Sequence, residues 1–179
     1  PNLSGVVQDR PGVIEQGKAW WQKKMPEALE SGRIQFDVGD FFKEIKRSGP
    51  KTVYLMRQII HDWPDELALK ILANIKAKMH SDSKVIILDT LLQPAIPSSQ
   101  DARDDDLVEQ LGPVPFPLYR SGGVTGTFNQ RIDLEVNVAL NATERTPQQF
   151  KALIETAGLK LESIVQPRSR HGIITAVLP

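Results

Sequence analysis

The chain has 179 residues, enough for one well-buried domain and short for two. Its 22 lysines and arginines balance 22 aspartates and glutamates, which leaves no electrostatic footprint for nucleic acid or an acidic membrane. Cysteine is absent, which excludes a disulfide framework, a thiolate nucleophile and a cysteine metal site.

The three histidines, His61, His80 and His171, lack metal-ligand spacing, so no metal site is expected. No apolar run approaches the length of a membrane span, and no signal-peptide pattern opens the chain. The expectation is a cytoplasmic protein with neither membrane nor nucleic-acid partners.

In chain order, an apolar segment through Val6-Val7 ends at Asp9 and reads as a strand. Lys18 to Ser31 reads as a helix that stops at Gly32, and Arg33 to Asp37 as a short strand. Val53 to Met56 has the apolar run of a central strand. After it, Pro64 suits a first helical turn whose dipole Asp65 and Glu66 complement. Ala68, Ile71, Leu72, Ile75 and Met79 then recur at helical spacing, so one face of this helix should pack on a sheet. Asp82-Ser83 turns the chain into a strand over Lys84 to Asp89.

From Leu91 to Asn129 the pattern weakens. Asp101 to Asp106 is an acidic cluster that reads as a solvated loop or helix start, Pro113 to Tyr119 mixes prolines with aromatics, and Gly122-Gly123 reads as a flexible turn. Thr146-Pro147-Gln148-Gln149 is a capping box. It opens a helix with Phe150, Leu153, Ile154 and Ala157 on its buried stripe and Gly158 at its end. Leu159 to Val165 and Gly172 to Leu178 read as two strands around the turn Gln166 to His171, an antiparallel hairpin at the sheet edge. Alternating strands and helices argue for an α/β fold with helices on both faces of the sheet.

The most informative stretch is Arg57-Gln58-Ile59-Ile60-His61-Asp62-Trp63-Pro64-Asp65-Glu66. It places a histidine and carboxylates at the seam between a buried strand and a helix, near the strand's carboxyl end, where open α/β sheets place their chemistry. Histidine also has the unperturbed pKa best suited to proton transfer near neutrality.

The stretch resembles the HDW(P/S)DE signature of the class I, S-adenosylmethionine-dependent O-methyltransferases of the caffeic-acid type and their fungal relatives. Other segments agree in order. The run from Pro1 to Pro11 resembles the strand that ends in the ribose-binding acid, and Phe36 to Phe42 the adenine-side GD(F/M)F loop. Val85 to Asp89 resembles the next core strand, and Asn141 to Thr146 contains the family's ERT motif. The resemblance implies a Rossmann-like sheet with a C-terminal antiparallel hairpin and S-adenosylmethionine as cofactor. It further implies methyl transfer to a hydroxyl of a small phenolic or enolic metabolite, in secondary metabolism.

By that resemblance His61 is the general base, and Asp89 and Glu144 flank and orient it. Asp9 would contact the ribose, Asp40 and Phe41 the adenine, Arg57 the cofactor carboxylate and Trp63 the cofactor pocket. Each has a plainer competitor. Asp62 either caps the following helix or has a catalytic or positioning role, Asp40 favours a turn by itself, Arg57 suits a surface salt bridge, and Trp63 suits core packing. Trp20-Trp21 and His171 carry no role beyond packing or substrate contact.

The family opens its cofactor domain with a strand and a glycine-rich turn, and this chain contains no GxGxG. The expectation is therefore that residues 1–179 are the C-terminal portion of a single methyltransferase domain, incomplete at its N-terminus. Such a portion would lack the N-terminal dimerisation domain, and would act as a homodimer in the longer form or be completed by another chain. Two other readings stay open. The fold could serve a dehydration or pericyclic step that consumes no cofactor, or the chain could be a truncated, non-catalytic assembly partner.

Overall fold

The computed structural model describes residues 3–93, 107–109 and 122–179. The acidic cluster Asp101 to Asp106 and the segment Pro113 to Tyr119 lie outside them. The chain divides into two compact units, Pro1–Ser48 and Gly49–Pro179.

The first unit is a βαβ crossover: β1 (Gly5–Asp9), α1 (Pro11–Lys24), α2 (Pro26–Glu30) and β2 (Ile34–Val38). The strands pair in parallel, Gly5 opposite Ile34 and Asp9 opposite Val38, which requires such a crossover. The single helix expected over Lys18 to Ser31 starts earlier and is broken in two. Pro11 opens α1 with its preset φ and no wasted N–H. Pro26 then forces Met25 out of helical geometry, to φ −147° and ψ 59°, so that a second short helix begins there. Ile14 and Ala28 are buried, and Trp21 packs edge-on against Phe36 at 6.4 Å.

The second unit contains β3 (Val53–Arg57), a 3-10 turn (Ile60–Asp62), α3 (Asp65–Lys76), β4 (Lys84–Thr90) and β5 (Val108–Glu109). It continues with α4 (Gly123–Leu140), α5 (Pro147–Thr156), β6 (Lys160–Val165) and β7 (His171–Val177). The sheet order is β3-β4-β7-β6-β5. β3 is parallel to β4, β7 is antiparallel to β4 and to β6, and β5 is parallel to β6. The predicted hairpin forms, but its strands lie inside this sheet, because two-residue β5 covers the outer side of β6. A strand that short carries no readable period.

Alternate residues of the strands point into one core: Tyr54 and Met56 from β3, Val85 and Ile87 from β4, Ile164 from β6, Ile174 and Ala176 from β7. Ala68, Ile71, Leu72 and Ile75 of α3 and Phe150, Leu153 and Ile154 of α5 complete it. Met79, placed on the α3 stripe by spacing, lies past that helix's end and is half-buried. Pro64 occupies the N-cap of α3 rather than its first turn, with ψ 160°.

The capping box of α5 is complete: Gln149 N–H donates to Thr146 Oγ1 at 3.3 Å and Thr146 N–H to Gln149 Oε1 at 2.8 Å. At its other end Gly158, at φ +74°, donates to the Glu155 carbonyl, and Leu159 donates to that of Ile154. This pair of bonds is a Schellman ending, which explains why glycine stands there.

Helix α4 is the element the sequence reading misses. Gly122-Gly123 opens it instead of forming a free turn. Val136 is buried while Val124, Leu134 and Val138 are exposed, so its apolar residues do not fall on one stripe and leave no helical period to read. Asn141, in the left-handed conformation at φ 53°, ends it.

Candidate active site

Strand β3 delivers the chain to a sharp junction. Gln58 takes a left-handed conformation, φ 51°, and its N–H donates to the Leu88 carbonyl at 3.0 Å, keeping the junction on the sheet. The 3-10 turn follows and buries His61, which is 8% exposed. Its Nδ1 lies 2.9 Å from Glu144 Oε1, and its Nε2 lies 3.3 Å from Asp62 Oδ1. The backbone N–H of His61 donates to Asp89 Oδ2 at 3.2 Å.

Thus the structure brings His61, Asp89 and Glu144 together, with different roles for the two acids. Glu144 meets the imidazole, whereas Asp89, at the end of β4, holds the main chain beneath it. The second carboxylate on the ring is Asp62, whose side chain makes no helix-capping bond.

Both long-range acids are fully buried, and Asp89 Oδ1 and Glu144 Oε2 lack hydrogen-bond partners among the described residues. Burial raises the Asp89 carboxyl from 3.8 to about 6, against the opposing pull of His61. The His61 imidazole is also raised, chiefly by its hydrogen bond to Glu144, with burial opposing. The site therefore stores protons more tightly than isolated side chains would.

Glu144 is itself held from α4. Its N–H donates to Asp133 Oδ1 at 2.8 Å, and the Thr143 hydroxyl donates to the same oxygen at 3.0 Å. Arg145, 1% exposed, places its guanidinium under the histidine turn. Nη1 donates to the Ile60 carbonyl at 3.0 Å and Nη2 to the Trp63 carbonyl at 2.9 Å. Nε and Nη2 donate to Asp65 Oδ1 at 3.0 and 2.7 Å. Sequence reasoning gave no role to Asp133 or to Arg145, though Arg145 stands inside the ERT motif that drew attention to Glu144.

Trp63 is half-buried beside this turn, and Arg57 is exposed at the end of β3, opposite Leu88. His171 faces Thr90 across β7 and β4, and burial lowers its pKa. Its Nε2 is buried without a partner among the described residues.

The remaining expected residues belong to the first unit. Asp9 ends β1, and its Oδ1 accepts from the Arg10 N–H at 2.7 Å. The Asp9 carbonyl accepts from the Gly39 N–H at 2.9 Å, so the strand ends bring Asp9 beside the Gly39-Asp40 loop. Asp40 Oδ1 accepts from the Phe42 N–H at 2.9 Å and shapes the turn that follows β2. The Phe41 and Phe42 rings meet edge to face at 4.8 Å. A carboxylate with one oxygen engaged, at the carboxyl end of a parallel strand, has the chemistry to accept from a ribose diol.

Among the described residues no group of three or more histidine, aspartate or glutamate side chains is placed to hold a metal ion. No helix among them is long and apolar enough to cross a membrane.

With this geometry in hand, the relatives are informative. Residues 1–110 match the O-methyltransferase domain family. The chain is 37% identical to the O-methyltransferase tpcA of Aspergillus fumigatus over 180 residues, covering 100% of this chain and 35% of that protein. Among solved structures, LaPhzM superposes with a TM-score of 0.71 at 27% identity, over 98% of this chain and 43% of the other. OxaC in complex with SAH and oxaline gives 0.69 at 26% identity, over 99% and 36%. The chain thus spans about a third of the curated relative's length. Extent of the family match, identity and shared architecture agree: the chain belongs to the O-methyltransferase family.

Proposed function

We propose that this chain carries the catalytic residues of an S-adenosylmethionine-dependent O-methyltransferase acting on a small phenolic or enolic metabolite, with His61 as general base. The observation that carries the reading is the buried imidazole held at Nδ1 by Glu144. That contact keeps the Nδ1 proton on the Glu144 side, so neutral His61 carries its lone pair on Nε2.

Nε2 meets Asp62 Oδ1 at 3.3 Å. An incoming hydroxyl takes the place of that carboxylate, gives its proton to Nε2, and so gains nucleophilicity at oxygen. The imidazolium formed is stabilised by Glu144 at Nδ1. When bound, S-adenosylmethionine supplies the electrophilic methyl group and a neutral thioether leaving group. Binding falls, on this reading, to Asp9 for the ribose hydroxyls, Asp40 and Phe41 for the adenine, and Arg57 and Trp63 near the histidine turn.

The chain is further read as the C-terminal portion of a single methyltransferase domain, dimeric in its full-length form or completed by another chain. Its relatives are longer, and β3 pairs only with β4 among the described residues, which leaves that edge of the sheet open.

The test is His61→Ala in the intact protein. Methyl transfer should fall by about 100-fold to 10,000-fold, the usual share of a general base, while S-adenosylhomocysteine binds within a few-fold of its unsubstituted strength. Turnover undiminished by the substitution refutes the assignment of the base. Product formation without one S-adenosylhomocysteine per product refutes methyl transfer itself.

A further inference from the structure

We propose that Arg145 is a positioning residue for this reaction, a buried guanidinium that fixes the turn carrying His61 so that the imidazole meets Glu144. The inference rests on the methyl-transfer reading for its catalytic consequence, but not for its geometry.

A carbonyl has two lone pairs, so one that closes a buried turn can accept a further bond that holds it. Here the Ile60 carbonyl, which already accepts from the Trp63 N–H at 3.2 Å and so closes the 3-10 turn, accepts a second bond from Arg145, and the Trp63 carbonyl at the turn's end accepts from the same guanidinium. The same fork grips Asp65 Oδ1 through two nitrogens, which ties the first turn of α3 to the histidine turn.

Arg145 also follows Glu144 directly in the chain. Its carbonyl accepts from Leu92 N–H at 3.0 Å, and it bridges in parallel to Leu91 just past β4. One dipeptide therefore sets both coordinates of the base: Glu144 fixes the ring, and Arg145 fixes the backbone that bears it. A mere ion pair would not need this arrangement. Asp65 is 71% exposed and can find water, whereas the guanidinium is almost wholly desolvated. Charge pairing at such a site gains little against the cost of burying the cation. The four hydrogen bonds account for arginine at this position, because its planar fork reaches several acceptors at once and a lysine ammonium cannot match that geometry.

The test reads the histidine directly. Around His61 stand Glu144 on the segment before α5, Asp62 on its own turn, Asp89 on β4 and His171 on β7, which in turn feels Arg57 and Arg170. All of these stay in place in Arg145→Lys, which also preserves the charge. In the intact protein this variant should lower kcat about 10-fold to 100-fold with KM and S-adenosylhomocysteine affinity nearly unchanged, the signature of lost alignment rather than lost binding. Its His61 ring, followed by NMR titration, should release its proton at lower pH than in the unsubstituted protein, because a loosened turn weakens the Glu144 contact.

Asp65→Asn, which leaves both carbonyl bonds intact, should move both readouts in the same direction by less, and it serves if Arg145→Lys fails to fold. A purely structural role would lower the melting temperature while leaving the His61 titration of the folded fraction unchanged, and that result overturns the proposal. The NMR titration needs no turnover, so a protein that proves inactive as a methyltransferase would still decide whether Arg145 positions His61.

Discussion

Replacing Asp89 by asparagine should stabilise the protein above neutral pH and bring no benefit in acid. The carboxyl is fully buried, and burial raises it from 3.8 to about 6 in the folded protein. Between those values the folded state binds the proton more tightly than the unfolded chain does. The Asp89 contribution is therefore most favourable below about pH 4, falls as pH rises toward 6, and is level above that. A rise of this size corresponds to about 3 kcal/mol withheld from stability at pH 8.

Asparagine removes that term. Its amide oxygen can still accept from the His61 N–H, at a cost of about 1 kcal/mol for exchanging a charged acceptor for a neutral one. The amide nitrogen falls where Oδ1 is buried without a partner among the described residues, at a further cost of about 1 kcal/mol, so the net gain expected at pH 8 is about 1 kcal/mol and at pH 4 the substitution costs about 1 kcal/mol. Urea unfolding of both proteins at the two pH values measures it, since contributions common to both proteins largely cancel in the difference. The raised His61 proton affinity works in the same direction, being favourable below 6.5 and lost as pH rises through its folded value, and both proteins retain its main cause, the Glu144 hydrogen bond, while the smaller Asp89 share goes with the substitution. An equal stability offset at pH 4 and pH 8 would refute the placement of a desolvated, titrating carboxylate at Asp89.

Glu144→Gln should lower the pH at which His61 releases its proton, because the Glu144 contact is the main cause of its elevation. The acidic limb of the kcat/KM profile should then move to lower pH, and an unmoved limb would show that another group governs it. Asp9→Ala should weaken S-adenosylhomocysteine binding by about 10-fold or more in calorimetry, as expected for losing a charged acceptor to a diol, with the melting temperature little changed; unaltered affinity would remove Asp9 from the cofactor site. Thr146→Ala breaks the capping box and should cost about 1 kcal/mol in urea unfolding, with no effect on the His61 titration.

Local signals in the sequence determined a good deal. The apolar spacing of Ala68, Ile71, Leu72 and Ile75 fixes the buried face of α3, since helical period and burial are the same geometric fact. Thr146 to Gln149 and Gly158 mark both ends of α5, because cap chemistry acts within a few residues. The run around His61 located the histidine at a strand-to-helix seam, since an apolar strand and an amphipathic helix flank it. Proline punctuation is equally local: Pro11 and Pro26 divide the first crossover into two helices, where the sequence reading has one from Lys18 to Ser31.

Tertiary structure alone decided what depends on residues far apart in the chain. Which carboxylate meets the imidazole is set by the pairing of β3 with β4 and by the Leu91–Arg145 bridge, which bring positions 61, 89 and 144 together. No spacing rule distinguishes Glu144 on the ring from Asp89 on the backbone, or assigns Asp62 to Nε2 instead of a helix cap. The place of the C-terminal hairpin within the sheet was hidden for the same reason, because two-residue β5 exists only through its partner β6. The burial of Arg145 could not be read from a residue type that is usually exposed. It follows from the acceptors that the Ile60 and Trp63 carbonyls and Asp65 present together around the histidine turn, and that grouping arises only once the chain has folded.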